Sequence, residues 1–414
     1  MSANPIAPNA MRLLWAGFTA ILASGVGMAI RTGIFDNWKS EFHFTNLQVG
    51  LINGAGLSGF CFGIMIGGFL ADRIGYGKLV MTAFSLHFLS AIVTFIPTGA
   101  GAEGTLSSAQ QTMAFAWLWL AAFLFAGANG TLEAVANPLV ATLFPANRTH
   151  YLNILHASWP AGLVLGELLH IYLGGQMNWN WRYQMALVLV PTVIYGLMFL
   201  GQKMPKSEAS AKGLSFREMF RDVGTMGSAV VAFFAAFFIR DGLGPMLNGF
   251  TGSAFYLGEN WSYISYGVGI LLWVVLSNAS GWSIGAFLLF VLFVTHALIG
   301  AVELGTDSWI ANITGNIIDP TTGKILFVYT SAIMFFLRFC ADFIERKLGL
   351  SPVAILLICA VLACVGLNLV SVAQSTAMIV IALTVYAVGK TFFWPTMLAV
   401  ASDRFRAPGR SPSA

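Results

Sequence analysis

Twelve stretches of about twenty apolar residues, set apart by short polar breaks, constrain this chain of 414 residues more than any single motif does. They lie at approximately 12–31, 48–71, 79–97, 112–142, 151–174, 183–202, 226–247, 262–281, 284–303, 324–344, 351–371 and 376–399. A hydrocarbon layer about 30 Å thick takes about 20 apolar residues per helical crossing, so each stretch predicts a membrane span. The charge count agrees: Asp, Glu, Lys and Arg make up 9% of the chain, against roughly a quarter in soluble domains. The expectation is an all-α polytopic membrane protein whose first partner is the lipid bilayer. Disorder, a nucleic-acid-binding domain and a disulfide scaffold are excluded by the same composition. Cys61, Cys340, Cys359 and Cys364 sit inside apolar runs and read as small buried or lipid-facing side chains. No metal-ligand spacing, Walker loop or Ser–His–Asp order stands out, so no cofactor, metal or catalytic residue is expected. The chain does not read as an enzyme.

Bases collect at the cytoplasmic ends of membrane helices. With the N-terminus inside, alternate loops hold 14 of the 21 Lys and Arg residues, including Arg73, Lys78, Arg148, Arg346 and Lys347. The opposite side then holds Arg31, Lys39, Arg182, Arg240 and Lys324, while Arg338 and Lys390 fall inside spans. This predicts a multi-pass protein of the cell (inner) membrane with a cytoplasmic N-terminus. Met1–Ala10 is polar and uncharged, which predicts no cleavable leader.

An internal repeat organises the spans. Gly67-Gly-Phe-Leu-Ala-Asp72-Arg-Ile-Gly75-Tyr-Gly-Lys78 has the same shape as Leu337-Arg-Phe-Cys-Ala-Asp342-Phe-Ile-Glu-Arg-Lys347, 270 residues later. Asp36-Asn-Trp38 and Asp307-Ser-Trp309 are separated by 271. Repeats of this kind mark transporters built from two related halves. The offset maps the first span onto 284–303. It predicts a six-helix bundle over 1–202, a charged linker over 203–227, an inserted helix pair over 228–282, and a second half over 283–414 that lacks its last two helices.

The loop after the second span resembles the signature of the major facilitator superfamily, Gly-x-x-x-Asp-Arg-x-Gly-x-x-basic, here Gly68, Asp72, Arg73, Gly75 and Lys78. Within it, Leu132-Glu-Ala-Val-Ala-Asn-Pro138 and Tyr151-Leu-Asn-Ile-Leu-His156 are similar to the fourth and fifth spans of the fucose permease-like sugar:proton symporters. The resemblance implies a transporter with two rocking halves, a sugar-like solute as partner and protons as coupling ion. It implies gating by Gly68, Asp72, Arg73, Gly75 and Lys78, with Arg338 and Asp342 in the same role. The sequence departs from that family on the first span, where Thr32 stands at the family's acidic position, and on the fifth, where His156 and Trp159 stand in place of Gln and Asn.

Ionised side chains inside a bilayer need a partner, a wet cavity or neutralisation. Glu133 and Asn137 lie one turn apart on one helix face and present a titratable acceptor beside an amide. Glu133 is the expected proton-coupling and substrate site, with a structural partnership to another polar residue as the alternative. Lys390 holds the repeat-equivalent position and is expected to face Glu133 across the cavity, or else to snorkel towards water. Asn153, His156 and Glu167 share a narrow sector of the fifth span, so Asn153 and His156 are expected to bind solute or to bond between helices. Trp159 and Trp394 are candidates for stacking on a sugar ring, whereas Trp38 and Trp309 read as interfacial anchors. His296 and Glu303 share a face, and Glu303 and Asp307 are expected near the outer mouth. A row of glycines from Gly50 to Gly68 reads as a close-packing ridge. The reading that best fits is a secondary transporter for a small polar solute. A non-transporting sensor or truncated relic is the alternative.

Overall fold

The computed structural model describes residues 7–99, 106–145, 147–205 and 216–404, less the side chains at 72, 149, 216, 219, 402 and 403. Twelve helices among them are long and apolar enough to cross a membrane. They are α1 (Ala10–Gly33), α2 (Asn46–Ala71), α3 (Tyr76–Thr94), α4 (Ser108–Leu143), α5 (His150–Gln176) and α6 (Trp181–Phe199). After the charged stretch come α7 (Phe220–Thr251), α8 (Glu259–Ala279), α9 (Phe287–Ile317), α10 (Pro320–Arg338), α11 (Pro352–Val372) and α12 (Thr376–Ala401). All twelve apolar runs are therefore helices.

Local chemistry sets several of the starts. Thr45 and Ser107 open α2 and α4 with capping boxes closed by Gln48 and Gln110. Asp319, Ser351 and Ser375 accept from the first turns of α10, α11 and α12. Gly75, at φ 81°, turns α2 directly into α3, a conformation that side chains with a Cβ rarely take. The largest departure from the predicted extents is α9, which runs on through Glu303 to Ile317 because a π-helical segment, Ala301–Gly305, carries the chain past the end of the apolar run.

In the first six helices, α1 packs along α5 and α6, and α4 packs along both α2 and α3. Small residues allow the closest crossings. A Cβ on Gly162 would stand 2.9 Å from the Cα of Gly25, and one on Gly67 would stand 2.9 Å from the Ala134 Cβ. Of the glycine ridge, Gly59, Gly63 and Gly67 pack against α4, whereas Gly54 and Gly68 face open space.

Further along, α9 packs on α10, and α12 packs on both α10 and α11, as α4 packs on both α2 and α3. Contact between the two sets runs through α5 and α10. The pair α7–α8 leans on α4 from elsewhere: Phe238 stacks near Trp119 and Phe123, and Phe250 meets Trp117 at 4.8 Å. Burial is greatest in α1, at 78% of its apolar stretch, least in α8 and α9, at 17% and 6%, and returns to 56% in α12. Helices apolar on faces turned away from protein are suited to lipid contact.

Candidate functional site

A cavity lies where α1, α2, α4 and α5 meet α9, α10 and α12. It measures about 50 Å³, room for a handful of waters at about 10–15 Å³ each. Besides His156, four ionisable side chains line it: Arg31, Glu133, Glu303 and Arg338.

Glu133 stands on α4, where one turn of regular helix brings Asn137 beside it. The Asn137 amide donates to Glu133 Oε2 at 2.9 Å. His156, from α5, donates through Nε2 to the Asn137 carbonyl oxygen at 2.8 Å and lies 4.0 Å from Glu133 Oε2. An amide oxygen only accepts, so the His156 ring proton sits on Nε2. Glu133, Asn137 and His156 thus form one chain from α4 to α5. Trp159 and Trp394 line the same cavity, and Trp394 packs on Phe60 at 5.7 Å and on His296 at 4.5 Å.

Arg338 ties the two walls together. Its Nη2 lies 3.4 Å from Glu303 Oε1, its Nε donates to the Thr391 carbonyl at 3.0 Å, and its Nη1 donates to the His156 carbonyl. Both carbonyls are free for a reason written in the sequence. A helical carbonyl ordinarily accepts from the N–H four residues on, and in both cases that residue is a proline, Pro160 for His156 and Pro395 for Thr391. Each proline leaves its acceptor without a helical donor, and one guanidinium satisfies both.

Lys390 is fully buried and its Nζ lies 2.5 Å from Asp307 Oδ1. It neither snorkels nor pairs with Glu133, because the π-helical turn at Ala301–Gly305 turns Asp307 inward to meet it. Glu303 and Asp307 are likewise deep in the protein, at 2% exposure each, and not at a mouth. Asn153 is buried on α5 and does not line the cavity.

The loop residues sit elsewhere. Arg73 and Lys78 are exposed at the α2–α3 turn, and the side chain of Asp72 lies outside the described residues. Asp342 pairs with Arg346 at 2.8 Å, and Arg346 reaches Asn147 across the molecule at 2.7 Å. At the opposite end of the antiparallel α5 and α10, Lys324 donates to His170 Nε2 at 2.9 Å, with Glu167 beside it. Contacts therefore join α5 to α10 and its extension at both ends. Arg338, expected with the gating loop, is instead buried at the centre.

The signature of the Major Facilitator Superfamily matches residues 16–310. The chain belongs to the major facilitator superfamily. Its fold is that of solved facilitators. The partially occluded, inward-open xylose transporter XylE from E. coli aligns over 95% of this chain and 87% of its own, with a TM-score of 0.64 at 12% identity. The fucose:proton symporter FucP in its outward conformation aligns over 95% and 83%, with a TM-score of 0.55 at 15% identity. Among curated proteins, a cis,cis-muconate transport protein of Acinetobacter baylyi is 24% identical over 50% of this chain and 48% of its own length. A spinster homolog 1 of Xenopus tropicalis is 23% identical over 46% and 35%. The matched region thus spans about half the length of these curated relatives or less.

Of the sequence-predicted residues, Glu133, His156, Trp159 and Trp394 line this facilitator cavity, Asn137 is bonded to Glu133 and His156 behind its wall, and Lys390 and Asn153 stand outside. Arg31, Asn53, Asn129 and Glu303 line it as well, and sequence reasoning did not place them there. Arg31 ends an apolar run and reads like a loop base, although α1 continues past it to Gly33.

Proposed function

We propose that this facilitator is a secondary active transporter that moves a small polar solute by alternating access, with Glu133 carrying the coupled proton. The observation that carries the reading is the Glu133–Asn137–His156 chain on the wall of a buried cavity between two helix sets. An amide, not a cation, is the nearest hydrogen-bond donor to the carboxylate, so no salt bridge has to break for it to take a proton. The contacts at both ends of α5 and α10 are the elements that would open in turn. The solute suggested by the fourth and fifth spans is a sugar. The curated relative named for cis,cis-muconate suggests a dicarboxylate instead.

The helix contacts support a division into a six-helix bundle over 1–202, a linker, an inserted pair α7–α8, and a second set, α9–α12, equivalent to α1–α4. The end carrying Arg73, Lys78, Arg346 and Lys347 is proposed to face the cytoplasm, in the cell membrane.

The test is uptake into proteoliposomes of labelled L-fucose, D-xylose and cis,cis-muconate under an imposed pH gradient. One of them is expected to accumulate when the outside is acidic, and Glu133→Gln should abolish accumulation while sparing exchange. Pure exchange in the wild type, or pH-driven uptake that survives Glu133→Gln, would remove the coupling role. Flux of no solute at all would favour the non-transporting alternative.

A further inference from the structure

Arg31 is a buried cation for which the described residues supply no anion. Its side chain is 5% exposed and lines the cavity, its Nε and Nη1 meet no hydrogen-bond acceptor, and no carboxylate lies within ion-pair distance among the described residues. The Phe125 ring at 5.5 Å and the C-terminal end of α1 are its compensation. The other cation of the cavity is differently placed, since Arg338 is committed to Glu303 and to two carbonyls.

The guanidinium of Arg31 lies close against the backbone of α2. A Cβ on Gly56 of α2 would stand 3.0 to 3.1 Å from Nη2, Cζ and Nη1 of the guanidinium. Gly56 therefore gives the guanidinium room to sit at this place in the cavity, and a larger residue there would displace it. Trp159 adds a second unpaired donor, since its Nε1 is buried without a partner in the same cavity.

An unpaired buried charge is costly unless an opposite charge arrives, and the planar fork of arginine matches a carboxylate through two parallel hydrogen bonds. We infer that Arg31 anchors a carboxylate of the transported solute, so that the substrate class is small organic acids. This deepens the transport reading and rests on it. A neutral sugar brings no charge to pair with Arg31. A phosphate, with close to two charges, calls for a second uncommitted cation that the cavity wall does not offer among the described residues. A monocarboxylate matches the single free charge.

Matched pairs of probes test this on the purified full chain: benzoate against benzamide, gluconate against glucose, adipate against adipamide, with inorganic phosphate alongside. Binding is read by thermal stabilisation and by tryptophan fluorescence, which Trp159 and Trp394 place in the cavity. At least one acid is expected to bind while its neutral partner does not. Arg31→Gln should weaken that acid at least tenfold, Arg31→Lys should retain part of the affinity, and Gly56→Ala should weaken it by displacing the guanidinium. The unliganded melting temperature of Arg31→Gln should match or exceed that of the wild type, which separates lost binding from lost fold. The proposal is overturned if no acid binds, if neutral members or phosphate bind in preference, or if Arg31→Gln keeps its affinity for the acid. Counterflow of a neutral solute that is unchanged in Arg31→Gln would refute the carboxylate and leave transport standing. Arg31-dependent binding of an acid without any flux would do the reverse.

Discussion

On the wall built from α1, α4 and α5, Arg31 has no acidic partner among the described residues and Glu133 is held by an amide, whereas in the facing helices both buried cations are matched, Arg338 with Glu303 at the cavity and Lys390 with Asp307 behind it. The two helix sets bury ionisable side chains of opposite sign, Glu133 on α4 and Lys390 on α12, and they use them differently. The first wall leaves its charges available to something that enters the cavity. The second spends its charges on holding α9, α10 and α12 together. Charge in a buried cavity thus divides into groups that await a partner and groups that already have one, and only the first kind can recognise a solute.

The sharpest way to break this contrast is to unpair the second wall. Asp307→Ala leaves Lys390 fully buried without its anion, and removing one partner of a buried pair costs about 3–5 kcal/mol. Thermal melting of the detergent-purified protein should show a large loss. The double variant Asp307→Ala with Lys390→Met should recover most of it, because apolar replacement of a whole buried pair is often near neutral. Equal melting temperatures for wild type and single variant would mean that the pair does not support the wall.

The prolines allow a smaller and more selective change, one on each wall. Pro160→Ala and Pro395→Ala each restore an N–H that competes with Arg338 for its carbonyl. Local helix stability should rise, by at most about 3 kcal/mol given the cost of an interior proline, while exchange flux falls. Flux in Pro160→Ala equal to that of the wild type would show that Arg338 does not need the freed carbonyl. The smallest effect is expected at the rim, where Arg346→Ala removes a half-exposed contact to Asp342 and Asn147. Exposed pairs contribute about 0–1 kcal/mol, so melting should barely move. A change in which side of the membrane admits a thiol reagent to cavity cysteines introduced by mutation would report the altered gate.

The spans were legible in the sequence because a bilayer demands a fixed length of apolar helix, and each of the twelve runs meets it. The Glu133–Asn137 contact was legible too, since four residues make one turn of uninterrupted α-helix. His156 followed from the polar stripe on α5, though its partner across the helices did not. What escaped were the places where the period changes or a helix outlasts its apolar run. The π-helical segment at Ala301–Gly305 shifts the phase of α9 and turns Asp307 to Lys390, which a period of 3.6 does not anticipate. Arg31 looked like a loop base because the apolar run stops beside it. Arg338 could have been located from the prolines: two carbonyls stripped of helical donors, one on each side of the molecule, call for a shared donor between them.

That shared donor has a mechanical consequence. A guanidinium lodged between two carbonyls that no helix can reclaim behaves as a ball joint, since hydrogen bonds to a carbonyl tolerate a broad range of approach angles. If the helix sets tilt about Arg338, its bonds to α5 and α12 can swivel without breaking. The protein would then change shape about a fulcrum at its centre, while the contacts at either end of α5 and α10 serve as stops that limit the swing.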